Sequence, residues 1–144
     1  MEIKVIARSQ RRREFLYAVA MYYTKTLKLR RRKFAVTIQS IPGFFDKTGG
    51  YAAATLESEK HVEMHIDSKL GPLQIAEALA HEFIHVEQYA LGKLGQYIRP
   101  NGEYGWLWEG KKNRCKYDNQ PWEIDAYNRQ KPLANKIINI LNAG

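Results

Sequence analysis

Five consecutive residues, His81, Glu82, Phe83, Ile84 and His85, carry most of the chemistry legible in this chain. Two imidazoles four positions apart on a helix lie about 40° apart around its axis and one turn along it, so both can reach one metal ion. Glu82 is turned by about 100° from His81, outside the ligand pair, where its carboxylate can act as general base on a water held by that metal. The plainer reading is a pair of histidines hydrogen-bonding at a surface. The surrounding pattern argues against it. In helical projection Ile75, Leu79, Phe83, Val86 and Ala90 define one face, and His81, His85, Gln74, Ala78 and Gln88 lie opposite. A helix that is apolar over most of its circumference is a central one, so its polar strip should line a cleft.

Hydrolytic zinc sites use three protein ligands and keep a fourth position open. No histidine follows His85, which excludes a three-histidine site of the extended H-E-x-x-H-x-x-G-x-x-H kind and favours a downstream carboxylate. The candidates are Glu87, Glu103, Glu109, Asp118, Glu123 and Asp125. The apolar stripe of the last helical segment, Ala126, Tyr127, Ala134, Ile137, Ile138 and Leu141, extrapolates backward to Glu123. A carboxylate on a core-facing stripe is costly unless a cation or a strong donor meets it. Glu123 is therefore expected as the third ligand, with first-turn capping of its own helix as the competing role. Asp125 falls on the wet side beside Arg129 and Lys136 and is expected to pair with Arg129 at i+4.

A helix with this strip needs elements to hold it. The spacing predicts a helix over 10–27 with Ser9 as N-cap and a face made by Phe15, Val19, Tyr22 and Thr26, flanked by Leu16, Tyr23 and Leu27. Strand-like runs cover 34–41, 50–56 and 61–66 and suggest a small sheet. The motif helix should start at Pro72 after Gly71 and stop near Leu91 before Gly92. Trp106 and Trp108 alternate in an aromatic segment, 104–117, that suggests a hairpin around Gly110. A final helix should run over 121–142 with a kink at Pro132.

The strings ALAHEFIHVEQY and QPWEIDAY resemble the zincin metallopeptidases, in particular the compact gluzincin-like branch called minigluzincins, and metallopeptidases encoded by tailed phages. The resemblance spans roughly residue 34 to the C-terminus in element order and is specific only at these two motifs. It implies zinc bound by His81, His85 and Glu123, with Glu82 activating water. It also implies an α+β fold in which a small mixed sheet of three or four strands packs on the N-terminal helix and the motif helix, with the C-terminal helix supplying the third ligand. An exposed edge strand would pair with an extended peptide. That edge is placed on Gly50, Tyr51, Ala52, Ala53 and Ala54, whose small side chains let another backbone approach. Where the gluzincin pattern often has Asp four residues after the ligand Glu, this chain has Tyr127. Asp118 is the substitute expected to support a ligand histidine. Tyr104, Tyr117, Tyr127 and Arg129 are the candidates for stabilising an oxyanion.

The rest of the composition frames these expectations. The chain has 144 residues, 44% hydrophobic and 26% charged, which fits one globular domain over 1–144 and excludes a disordered or fibrous protein. No apolar run is long enough for a membrane-spanning helix, Cys115 is the only cysteine, and the first residues lack an apolar signal region, so a cytoplasmic protein is expected. Residues 1–33 hold eleven Lys or Arg against Glu2 and Glu14, a net charge of +9, whereas the other 111 residues net −1. The clusters Arg11, Arg12, Arg13 and Arg30, Arg31, Arg32, Lys33 could meet nucleic acid, and the plainer reading is a solvated helix face and a charged loop. His61, Glu63 and His65 alternate on one strand, conceivably as a surface metal patch but more simply as the solvent side of a half-buried strand. Trp106, Trp108 and Trp122 could wall a pocket or fill the core. The leading expectation is a zinc endopeptidase. A nucleic-acid-associated protease similar to the SprT type, or a non-enzymatic protein stabilised by zinc, are the alternatives.

Overall fold

The structure, a computed structural model, describes residues 1–58, 60–115 and 119–143. Two β-sheets and four helices make an α+β fold. The larger sheet has strands β1 (Glu2–Ile6), β2 (Ala35–Ile41), β3 (Ala52–Ser58) and β4 (His61–Asp67), in the order β1-β2-β4-β3. β1, β2 and β4 are parallel and β3 runs antiparallel to β4 at the edge, so the sheet is mixed. β1 is an element that the sequence pattern did not suggest. Its alternation lasts only from Glu2 to Ile6, too short to signal a strand by itself, and pairing to β2 (Ile3 opposite Val36, Val5 opposite Ile38) makes it one.

Helix α1 (Gln10–Thr26) is the crossover between β1 and β2. It starts at Ser9, whose hydroxyl accepts from the Arg12 N–H at 3.1 Å. Its buried stripe is Leu16, Val19, Ala20, Tyr23 and Thr24, rotated from the expected face; Thr26 is exposed and Phe15 and Tyr22 are half-buried. Thr24 tolerates burial because its hydroxyl donates to the Ala20 carbonyl at 2.8 Å. Against this stripe and the inner sheet face, lined by Val36, Ile38, Val62, Met64 and Ile66, lies α3 (Pro72–Ala90). The outer sheet face carries His61, Glu63 and His65, each part-exposed, as expected for the wet side of a half-buried strand.

α3 begins with Pro72 in its first turn and ends where Gly92 takes φ +73°, with the Lys93 N–H closing on the Gln88 carbonyl at 2.9 Å. It is buried nearly all round, including Glu82, His85 and Gln88. A short helix α2 (Phe44–Thr48) links β2 to β3, and β3 starts at Ala52, so Gly50 and Tyr51 precede the strand rather than belong to it. β5 (Leu94–Ile98), β6 (Tyr104–Trp108) and β7 (Lys111–Asn113) form the second sheet, with Glu109 and Gly110 at positive φ in the tight turn between β6 and β7. The hairpin is where the alternating tryptophans placed it; β5, added on its other side, was not anticipated. α4 (Pro121–Ala143) runs through Pro132 and packs along α3. Its buried side chains are Trp122, Glu123, Ala126, Ala134 and Ile137, while Tyr127 and Leu141, expected on the core stripe, are exposed. Among the described residues no helix is long and apolar enough to cross a membrane.

Two contacts fix where α3 sits. The buried Tyr23 hydroxyl donates to the Ala76 carbonyl at 2.6 Å, tying α1 to α3, and burial pushes this phenol well above its ordinary pKa, so it keeps its proton. Asp67, at the end of β4, accepts from the Phe45 N–H and the Lys69 N–H, both at 2.8 Å, and these bonds hold its carboxyl below the usual range. Replacing Tyr23 by Phe is expected to cost about 1 kcal/mol in denaturant unfolding, because a buried carbonyl loses a donor. Asp67 contributes stability that is complete above the unfolded-state carboxylate value of about 3.9 and is lost as pH falls through the lower folded-state value. The stability gap between wild type and Asp67→Asn should therefore narrow when unfolding is measured at progressively more acid pH, and a gap that widened would contradict this role.

Candidate metal centre

His81 and His85 sit one turn apart in α3, and the first turn of α4 brings Glu123 across to them. The Glu123 carboxylate straddles the pair, Oε1 at 2.7 Å from His85 Nε2 and Oε2 at 3.1 Å from His81 Nε2, and the two Nε2 atoms are 3.3 Å apart. Among the described residues this is the one group of His, Cys, Asp or Glu able to hold a metal ion. The expected ligand set is thus assembled by side chains that the sequence placed on two separate helices. Local structure explains the arrival of Glu123. Trp122, buried beside it, packs on Trp106 and Trp108 of β6 at ring distances of 5.8 and 6.2 Å, and so the second sheet pins the start of α4.

The other nitrogen of each ring is also held. His85 Nδ1 meets Gln88 Oε1 at 2.8 Å, and Gln88 Nε2 donates to the Trp122 carbonyl at 3.0 Å and to Asp125 Oδ2 at 2.9 Å. His81 Nδ1 meets Gln130 Oε1 at 2.6 Å, and Gln130 Nε2 donates to Glu77 Oε1 at 2.8 Å. Carboxylates and carbonyls accept only, so the amide groups must turn their NH2 toward them and their oxygen toward the histidines. An amide oxygen then requires Nδ1–H on each ring, which leaves each neutral imidazole with its lone pair on Nε2. Two lone pairs and a carboxylate consequently converge on one point. A positive charge at that point stabilises such a set, and a metal ion or protons can supply it.

Donor geometry fits a metal. A tetrahedral zinc site with bonds of about 2.0–2.1 Å has donor–donor edges of about 3.3 Å; the two Nε2 atoms are 3.3 Å apart, each lies 2.7 or 3.1 Å from a different Glu123 oxygen, and one donor atom from each residue falls within 4.8 Å of the others. The electrostatics show the same demand for a cation. Burial works against the His81 imidazolium, but the bond to Glu123, the charge of Glu82 and the bond to Gln130 outweigh it, and its pKa is raised. Glu82, 7% exposed, is pushed upward by burial, against the pull of His85 and His81 and with the help of Glu123.

A cavity of about 380 Å³ opens over these groups, lined by His81, Glu82, His85 and Glu123 together with Ala52, Ala53 and Ala54 of the edge strand. Trp106 and Trp122 wall it, whereas Trp108 only backs Trp122. Tyr89, one turn beyond His85, also lines it, and burial raises its phenol so far that it stays protonated. Tyr51 and Tyr127 border an adjoining hollow that shares His81 and Glu82, and the Tyr127 ring lies edge-on to His81 at 4.8 Å. Gly50 lines neither cavity.

Several sequence expectations need correction. Asp125 does pair with Arg129, at 2.8 and 3.0 Å, but it is not a mere surface residue: it also orients the Gln88 amide behind His85. Arg129 is bound to Asp125 and, at 2.6 Å, to Glu87, and Tyr104 is exposed on β6, so neither stands over the triad as an oxyanion donor. Gln88 and Gln130 meet the outer ring nitrogens; Asp118, expected as such a support, and Tyr117 lie outside the described residues. Gln88 was visible on the polar strip without a role. Gln130 was detectable as well, since it follows Glu123 by seven residues, two turns along the same face of α4.

Residues that fix the outer nitrogen of a ligand histidine typically govern metal affinity by about 10- to 100-fold. Gln130→Ala is expected to weaken divalent metal binding within that range in a chelator competition while leaving the circular dichroism spectrum unchanged; unaltered affinity would separate Gln130 from the site. Compared with protein-family models, curated proteins and solved structures, the chain matches none, and the site is read from its own geometry.

Proposed function

We propose that this protein is a zinc-dependent peptidase of the gluzincin-like type, in which His81, His85 and Glu123 hold the metal and Glu82 is the catalytic base. The observation that carries this reading is the convergence of two Nε2 lone pairs, their tautomers fixed by Gln88 and Gln130, on the Glu123 carboxylate. Two histidines and a glutamate form a donor set used by hydrolytic zinc, with a coordination position left for water or substrate. When bound, the ion supplies Lewis acidity toward a carbonyl oxygen and acidifies water.

The chain's own residues supply the remaining chemistry. Glu82 follows His81 in α3 and projects into the same cavity without belonging to the converging group. It takes a proton from the attacking water and delivers it to the amide nitrogen that leaves, so one carboxylate serves as base and then as acid. Its buried, upward-shifted carboxyl suits both steps better than a freely solvated one. Ala52, Ala53 and Ala54 belong to the outermost strand of the sheet, whose free edge can add an extended substrate backbone. Their small side chains leave room for that approach. Tyr89, on the cavity wall, carries a hydroxyl that can donate to a developing oxyanion, and the Tyr127 ring lies against His81.

Glu82→Gln and Glu123→Ala separate the two roles. With zinc measured by elemental analysis and hydrolysis followed on an unstructured protein such as casein, Glu82→Gln should keep stoichiometric metal and lose about 10²- to 10⁴-fold in rate. Glu123→Ala should lose the metal. A Glu82→Gln protein that cleaves as fast as wild type would reject the mechanism.

A further inference from the structure

The two arginine clusters of the N-terminal segment are not equivalent in the fold. In the first, Arg13 donates to the Ala7 and Arg8 carbonyls at 2.7 and 3.2 Å and Arg12 to the Leu70 carbonyl at 3.4 Å, so both guanidinium groups serve to tie the start of α1 to its surroundings. The second cluster is placed differently. Glu2, Ala35 and His61 are in register across β1, β2 and β4, so the residues just before these strands crowd one end of the sheet. Arg30, Arg31, Arg32, Lys33 and Lys60 project there, all exposed, and among the described residues none has an ion-pair partner.

The backbone that carries these cations is fixed rather than loose. Leu29 is buried in the core and its N–H bonds to the Thr24 carbonyl at 2.8 Å; the Arg32 N–H bonds to the Leu29 carbonyl at 2.9 Å. The Met1 nitrogen donates to the Arg30 and Arg32 carbonyls at 3.1 and 2.8 Å, and the Ala35 N–H to the Lys60 carbonyl at 2.8 Å. Arg31, Arg32, Lys33 and Lys60 thereby border a hollow of about 420 Å³ in which, among the described residues, Glu2 is the one acidic side chain. Holding like charges this close on a rigid frame costs repulsion, and a polyanion relieves it.

We infer that this end of the sheet is a binding surface for the phosphate backbone of nucleic acid. Guanidinium groups match phosphate oxygens in a two-pronged geometry, and three adjacent arginines on a fixed loop present that match with the backbone already ordered. An anionic membrane fits less well. None of the apolar residues bordering the basic hollow, Met1, Phe34 and Ala35, is among the exposed large ones, and a basic patch without an apolar partner holds a bilayer weakly. Because Ser58 pairs with His61, the far end of the edge strand reaches the same side of the sheet. Nucleic acid bound there lies near the cleft and would hold its proteins in reach, although the surface itself stands independently of whether the cleft hydrolyses peptides.

The test is binding of the full chain to a fluorescently labelled 20-base-pair DNA duplex, read by anisotropy between 50 and 300 mM NaCl. Affinity should fall steeply with salt. The variant R30S/R31S/R32S, checked for folding by circular dichroism, should bind at least about 10-fold more weakly at 100 mM NaCl, with the log–log salt slope reduced by about 0.9 for each phosphate that is no longer neutralised. Should the triple variant not fold, K33S/K60S carries the test and should show the same direction of change. Arg11→Ser, at the other end of α1, should bind as wild type does. Absence of salt-sensitive duplex binding, or variants that bind as tightly as wild type, would overturn the proposal. So would binding to phosphatidylserine-containing vesicles with none to the duplex.

Discussion

Three acceptors aimed at one point repel unless a positive charge joins them, and the centre of this protein is organised around that constraint. His81, His85 and Glu123 come within 2.7 to 3.3 Å of one another in surroundings that exclude most water. A protein gains nothing in stability from burying such a set with no cation to share. The arrangement is one that could hold a metal ion, and its outer bonds show how the orientation is kept. On each side a carboxylate turns an amide and the amide turns an imidazole: Glu77, Gln130 and His81 in one chain, Asp125, Gln88 and His85 in the other. Interposing a neutral amide keeps the anionic charge of Glu77 and Asp125 one group away from the rings, while the direction of each hydrogen bond is still dictated by it.

The fold can be understood as the support for this alignment. α3 carries two of the converging side chains and is buried nearly all round, with the sheet and α1 on one side and α4 on another, which holds their rotation. α4 carries the third ligand in its first turn, a position prone to fraying unless anchored. Trp122 beside Glu123 is clamped by the tryptophans of β6, and the Gln88 amide holds the Trp122 carbonyl. The same glutamine thus orients a ligand histidine and fixes the backbone next to the ligand carboxylate. Preorganisation of this kind lets a domain of 144 residues maintain a buried polar centre.

Legibility in the sequence followed the physical range of each signal. The motif helix, its start at Pro72 and stop at Gly92, and the core-facing position of Glu123 were readable because helical periodicity is local and regular. β1 was not, since five residues with weak alternation become a strand only through a parallel partner more than thirty residues away. The face of α1 was misjudged in rotation because its apolar residues are spread widely around the helix, and tertiary contact chose among them. At the site, the three side chains that converge were recoverable from residue type and spacing. The glutamines behind the ligands carry no charge and no rarity to draw notice, and their role depends on a contact between α3 and α4. The same holds for the arginine clusters, alike in sequence, where backbone carbonyls engage one and leave the other to solvent.

The most direct measurement is X-ray diffraction of zinc-soaked crystals with data collected on both sides of the zinc absorption edge. A single anomalous peak within bonding distance of His81 Nε2, His85 Nε2 and a Glu123 carboxylate oxygen is the expected result. Fully occupied zinc elsewhere and none between these three side chains, or rings joined to Glu123 by protons alone at saturating zinc, would contradict the metal centre.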